Sequence, residues 1–116
     1  MGTDIVEVDR IQALIDRWSA QFLERIFTPD EIAYCDRQAV PSIHFAGRFA
    51  AKEAVKKALY AGGHVTPIHF HQIRVERTPQ GAPLVRLTGP EQRAIQVSIS
   101  HTKRHAIATA ILETDD

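Results

Sequence analysis

Arg48-Phe49-Ala50-Ala51-Lys52-Glu53-Ala54-Val55-Lys56-Lys57-Ala58-Leu59-Tyr60 decides the fold of this 116-residue chain. Set on a helical wheel, the apolar residues from Phe45, Ala46 and Phe49 to Ala58, Leu59 and Tyr60 leave almost no polar face. A helix of that kind is enclosed by protein, so the stretch from about Ile43 to Ala61 is the expected central helix, with Gly62-Gly63 as its stop. The remaining segments have to supply the layers around it.

Toward the N-terminus, Thr3 to Val8 reads as a strand with Ile5 on one side and Asp4, Val6 and Val8 on the other. Asp9 with Gln12 forms a capping-box pattern, and Ile11, Leu14, Ile15 and Trp18 follow at helical spacing. Phe22 and Ile26 suggest a further helical stretch. Thr28-Pro29-Asp30-Glu31 opens a short helix through Tyr34 and Cys35, with Thr as cap, Pro at the first position and Glu at the third. Toward the C-terminus, Ile68 to Glu76 and Leu84 to Leu87 read as paired strands around Gln80-Gly81-Ala82-Pro83. Gly89-Pro90 predicts a short helix through Ile95. Val97 to Ser100 and Ala106 to Leu112 form a last strand pair turning at Thr102 to His105. This order predicts an α+β fold, one domain over 1–116 with a central buried helix packed on an antiparallel sheet.

Composition narrows the function. Fourteen Lys and Arg balance fourteen Asp and Glu, which speaks against a chain built to neutralise nucleic-acid phosphates. The hydrophobic content of 44% contains no apolar run of membrane-spanning length, and the start Met1-Gly2-Thr3-Asp4 is acidic where a signal peptide is basic. A lone cysteine, Cys35, excludes a disulfide framework and suits a reducing cytoplasm, where it is most simply a small buried apolar residue. No nucleic-acid or membrane partner is expected.

The chemistry concentrates on the central helix. Arg48, Lys52 and Lys56 lie within about 80° of one another on the wheel, with no carboxylate on their stripe. Like charges at this spacing repel, so the stripe is either a solvated row of snorkelling cations or the wall of a groove for a multiply charged anion. Glu53, the helix's one acid, stands among apolar residues and needs a cation. Lys57, one turn on, can be that partner or a fourth phosphate contact. The alternative is a divalent ion such as Mg²⁺, held by one or two carboxylates with substrate phosphate and water. Asp4, an acid where strands disfavour one, is the candidate second carboxylate, although nothing local forces the two acids to meet.

Two other arrangements are weaker. His69 and His71 would share a strand face near His64, but a zinc site wants more ligands than one thiol and this spacing supply. Ser100 and His101, as strand neighbours, point to opposite faces and make a poor hydrolase pair.

Gly2-Thr3-Asp4-Ile5-Val6-Glu7-Val8-Asp9-Arg10-Ile11, Arg48-Phe49-Ala50-Ala51-Lys52-Glu53-Ala54 with Lys57-Ala58-Leu59, and Ser98-Ile99-Ser100-His101-Thr102 together resemble the holo-acyl-carrier-protein synthases. Phe27-Thr28-Pro29-Asp30-Glu31 and Gly81-Ala82-Pro83 add to the likeness, which spans nearly the whole chain. The resemblance implies the phosphopantetheinyl transferase fold. It also implies transfer of the 4′-phosphopantetheine arm of coenzyme A to a serine of apo acyl carrier protein, releasing adenosine 3′,5′-bisphosphate, in bacterial fatty-acid synthesis.

In the family's terms Asp4 and Glu53 hold Mg²⁺. Asp4, Glu53 and Lys57 carry catalysis, with Glu53 or a metal-bound water as the base. Arg48, Lys52, Lys57, His101 and Thr102 contact coenzyme A, and Arg10 meets the carrier protein. Relatives form trimers with the coenzyme site between subunits. The chain departs from the family at Tyr60-Ala61-Gly62-Gly63-His64, where relatives usually carry a Gly-Thr-Gly-like turn. The competing reading is a phosphate- or nucleotide-binding module without catalysis, its cationic stripe holding an anion and Asp4 being structural.

Overall fold

The computed structural model describes residues 1–91 and 93–113. Strand β1 (Gly2–Glu7) leads into helices α1 (Val8–Trp18), α2 (Ala20–Ile26), α3 (Pro29–Asp36) and the 21-residue α4 (Pro41–Ala61). Strands β2 (Ile73–Arg77) and β3 (Pro83–Leu87) form an antiparallel hairpin, and β4 (Ile95–His101) and β5 (His105–Leu112) complete a second sheet of order β1-β5-β4, also antiparallel. The α+β reading therefore stands, with α4 laid across the β1-β5-β4 sheet.

Small side chains explain how closely helix and sheet approach. Ala50, Ala51, Ala54 and Ala58 of α4 and Ala106, Ala108 and Ala110 of β5 are all buried, and the apolar positions of β5 alternate with exposed Ile107 and Ile111. At Gly2 the contact is backbone on backbone: a Cβ there would lie 2.1 Å from the Ala54 carbonyl oxygen and 2.7 Å from the Ala58 nitrogen. Larger residues fill the far side of α4, where the rings of Phe27 and Phe45 are 5.1 Å apart. Truncating either core ring typically costs about 3–5 kcal/mol.

Most boundaries follow the sequence reading. Thr28 and Glu31 form the expected reciprocal capping box, with Thr28 N donating to Glu31 Oε1 (2.7 Å) and Glu31 N to Thr28 Oγ1 (3.3 Å). Helix α4 stops in a Schellman arrangement: His64 N donates to the Leu59 carbonyl and Gly63 N to that of Tyr60, with Gly63 at φ 99°.

Three expectations are corrected. Helix α1 begins at Val8 and has no side-chain cap, because Gln12 donates to Asp16 (2.8 Å) and not back to residue 9. The stretch from Ile68 is not strand until Ile73: Phe70–Gln72 form a 3₁₀ turn, closed by His69 N donating to Gln72 Oε1. Gly89-Pro90 starts no helix among the described residues before β4; Gln92, within the expected helix, lies outside them.

Candidate active site

The closeness of β1 to α4 at Gly2 carries Asp4 to the same flank of the helix. Asp4 accepts from Lys57 Nζ at 3.0 Å, and the same ammonium donates to the Thr3 carbonyl at 3.0 Å. Lys57 is thereby taken up by β1, which settles one alternative: it does not pair with Glu53. Among the described residues Glu53, half-buried one turn before Lys57, has no hydrogen bond or ion pair. The fold thus sets one held carboxylate, one unpaired carboxylate and one ammonium along a single edge of α4. Such an edge presents hard oxygen donors beside a positive charge.

The cationic stripe divides. Lys52 is fully buried and its ammonium donates to Glu31 Oε1 (2.8 Å), Ile26 O (2.9 Å) and Phe70 O (3.1 Å). All three of its protons are used, so the expectation that Lys52 contacts coenzyme A is corrected: its charge is satisfied inside the fold. Glu31, visible in the sequence only as a capping residue, is the carboxylate the stripe lacked, and its Oε2 accepts from Val75 N (2.8 Å). Lys56 lies 3.5 Å over the ring of Phe70, which stacks on Phe49.

Arg48 is also buried, with its guanidinium carbon 4.1 Å above the Tyr34 ring and its Nε without a partner. It lies between two clefts. One, of about 370 Å³, runs along α3 and β2 past Tyr34, Arg74 and Arg77. The other, of about 230 Å³, holds His44 and His101, whose rings are 5.8 Å apart. Burial, then the charge of Arg48, then His101 push the pKa of His44 below its ordinary value.

Arg48 and Lys57 are nine positions apart on α4, which places them about 180° apart around its axis. Their contacts agree: Arg48 reaches α3 and Lys57 reaches β1. The two positions thought to meet coenzyme A therefore face opposite sides of one helix.

The remaining expected residues are on the surface. Thr102 turns β4 into β5, its hydroxyl accepting from the nitrogens of Arg104 and His105. Arg10 is exposed on α1, on the line continued by Leu14 and Trp18. Leu14, Trp18, Gln21, Phe22 and Arg25 line a groove between α1 and α2.

His69 and His71, on the 3₁₀ turn, do not share a strand face, and His71 bonds the Glu24 carbonyl. The atypical turn after α4 is tied down by His64, which bonds Glu91 (3.2 Å) and Thr66 (2.9 Å), while Arg93 bonds the Gly62 carbonyl. Cys35 is buried and its thiol is pushed up to about 12, chiefly by that burial.

The model of the 4′-phosphopantetheinyl transferase superfamily matches residues 1–110. A holo-(acyl-carrier-protein) synthase of Syntrophus aciditrophicus (strain SB) is 40% identical over 121 aligned positions, covering 97% of this chain and 93% of that protein. The crystal structure of Helicobacter pylori holo-(acyl-carrier-protein) synthase in complex with coenzyme A matches with a TM-score of 0.82 at 34% identity, covering 97% of this chain and 98% of the other. A Bacillus anthracis str. Ames synthase in complex with CoA (3′,5′-ADP) matches with a TM-score of 0.83 at 33% identity, covering 98% and 95%.

Proposed function

The chain belongs to the 4′-phosphopantetheinyl transferase superfamily as a holo-acyl-carrier-protein synthase, and from that premise we propose that the α4 edge carrying Asp4, Glu53 and Lys57 is where it moves 4′-phosphopantetheine from coenzyme A to a serine of apo acyl carrier protein. The observation that carries the assignment is the unpaired Glu53 one turn from an Asp4–Lys57 pair.

The donor set fits Mg²⁺. Two carboxylates are what that ion usually takes from protein, leaving its other positions to water and substrate phosphate. No three His, Cys, Asp or Glu side chains among the described residues form a fuller cage. Asp4 and Glu53 would hold the ion, which when bound lowers the negative charge on the coenzyme's diphosphate.

In the transfer the serine hydroxyl gives its proton to Glu53, directly or through a water, as its oxygen forms a bond to the phosphorus that bears pantetheine. The bond from that phosphorus to the bridging oxygen breaks, and adenosine 3′,5′-bisphosphate leaves. Lys57, fixed by Asp4 and the Thr3 carbonyl, donates to oxygen on which charge accumulates. Its half-exposed ammonium can exchange Asp4 for substrate without crossing the core.

The opposed faces of Arg48 and Lys57 favour a shared site. In a homotrimer whose groove lies between adjacent subunits, one subunit's Asp4, Glu53 and Lys57 and the next one's Arg48, His101 and Thr102 act on the same molecule. The open face of the sheet supports self-association, since Ile5 (65% exposed) pairs with the exposed Ile107, and Ile111 is exposed further along the same face of β5. Arg10, aligned with Leu14 and Trp18, gives the carrier protein a positive contact at the edge of an apolar groove. No described helix is long and apolar enough to cross a membrane.

The test is direct. The chain incubated with coenzyme A, Mg²⁺ and an apo acyl carrier protein adds one phosphopantetheine to the carrier, read by intact-mass spectrometry. An unchanged carrier mass alongside retained nucleotide binding would instead support a non-catalytic module.

A further inference from the structure

Tyr60 stands where this chain departs from its relatives, on the same edge of α4 as the candidate site. Seven positions after Glu53, it returns to within about 20° of that residue around the helix axis and lies about 4.5 Å beyond Lys57 along it. The side chain is held. Ile68 N donates to its hydroxyl at 3.1 Å, and its ring stands edge-on to His64 at 6.1 Å. His64 is fixed in turn by Glu91 (3.2 Å) and Thr66 (2.9 Å). Yet Tyr60 is 45% exposed. A ring clamped at its polar end while its face meets solvent is a preformed apolar wall, so a ligand that packs on it spends little on ordering it.

The charges around this ring already have partners. Glu91 is bound by Arg93 and His64, and the Lys56 ammonium, one turn before Tyr60, lies 3.5 Å over Phe70. Of the three aromatic rings beside this edge, Phe49 and Phe70 stack on one another and Tyr60 is the exposed one. The edge therefore changes character along its length. Asp4, Glu53 and Lys57 supply carboxylates and an ammonium, and an uncharged ring follows.

We propose that Tyr60 is a specificity-determining residue of the transfer. Its ring packs against the pantoyl methyl groups at the phosphate end of the pantetheine arm, so that the chain holds coenzyme A in preference to the adenosine 3′,5′-bisphosphate it releases. This rests on the transferase reading of the α4 edge. Coenzyme A has two unlike halves beyond its diphosphate. The nucleotide half carries a further phosphate and calls for cations, whereas the arm begins with an uncharged quaternary carbon bearing two methyl groups, three bonds from phosphorus. A clamped, uncharged ring one turn past Lys57 complements the arm. Once the arm has passed to the carrier, the nucleotide is left without that contact and leaves more readily than the substrate.

The test compares the wild type with Tyr60→Ala and Tyr60→Phe, by calorimetry with coenzyme A and with adenosine 3′,5′-bisphosphate in Mg²⁺, and by carrier modification. Burying two methyl groups is worth about tenfold in affinity. Tyr60→Ala is therefore expected to bind coenzyme A about tenfold more weakly and the bisphosphate as the wild type does, with KM raised and kcat nearly kept. Tyr60→Phe keeps the ring and is expected to keep most of the wild-type preference. An unchanged preference in Tyr60→Ala, equal losses for both ligands, or a Tyr60→Phe as weak as Tyr60→Ala overturns the proposal.

The wild type alone gives a second measurement. The two pantoyl methyl signals of coenzyme A are expected to move upfield in proton NMR as the coenzyme binds over a ring face, and less so with Tyr60→Ala. Methyl signals that do not move overturn the contact, however the variants fold. If the wild type modifies no carrier, the transferase reading fails by itself. The calorimetric preference and the methyl shift need no transfer, and they then decide Tyr60.

Discussion

Lys52 Nζ lies 2.8 Å from Glu31 Oε1, and the two side chains are 0% and 3% exposed. Burial pushes the Lys52 pKa down, and Glu31 opposes that push by its charge and its hydrogen bond. Glu31 also accepts from the backbone nitrogens of Thr28 and Val75, so a single carboxylate ties the start of α3, the middle of α4 and strand β2 together. Those three elements wall the cleft in which Arg48 sits over Tyr34.

Removing one partner leaves a buried charge without a counterion. Glu31→Leu and Lys52→Met are each expected to cost about 3–5 kcal/mol in urea unfolding, and the double variant less than the sum. Additive costs would show that the pair does not act as a unit.

Gly2→Ala places a methyl against backbone atoms of Ala54 and Ala58, which cannot turn aside as a side chain can. The expected loss is about 1–3 kcal/mol. Because β1 must lift from α4, transfer should fall further than stability alone explains, with Asp4 carried away from Lys57. A variant with wild-type melting temperature and turnover would contradict the tight β1–α4 contact.

Asp4→Asn and Glu53→Gln are expected to lower transfer about 100-fold or more each, scored by carrier mass. Their folds should survive. The Asp4–Lys57 pair is half exposed on the Lys57 side and is worth no more than about 1 kcal/mol, while Glu53 has no partner to lose. Added Mg²⁺ should shift the melting temperature of the wild type with coenzyme A and not that of the Glu53 variant. Wild-type turnover in both variants would remove the metal assignment.

Glu91 tests the turn after α4. Hydrogen bonds from Arg93, with a smaller contribution from His64, hold its carboxyl down at about 2 against an ordinary 4.5. The folded value is the lower one, so the stabilisation is present above pH 4.5 and is lost as pH falls from there toward 2. Melting temperatures across that interval should drop less steeply for Glu91→Gln than for the wild type. Parallel curves would mean that the latch at His64 and Arg93 contributes nothing.

Elements governed by local rules were readable from residues alone. The Thr28-Pro29-Asp30-Glu31 cap, the Gly62-Gly63 stop and the alternation of β5 depend on neighbours a few positions away. The stretch from Ile68 to Gln72 was not, because its apolar alternation suits a strand while Gln72 and His69 close a 3₁₀ turn through side-chain bonds. Lys52 shows the same limit. Its helical phase beside Arg48 and Lys56 suggested an anion groove, but its counterion is 21 positions away on another helix.

The order of residues determined by itself that this chain would fold around one apolar helix, where the strands would fall apart from the stretch Ile68 to Gln72, and which acids stood where acids are disfavoured. It did so because helix and strand periods, caps and stops are short-range properties. Only the tertiary structure decided that Lys57 serves Asp4 and leaves Glu53 free, that Lys52 is spent on Glu31, and that Arg48 faces away from Lys57 toward His44 and His101. Charges choose partners by distance, and that distance is set by how a sheet, a hairpin and four helices pack.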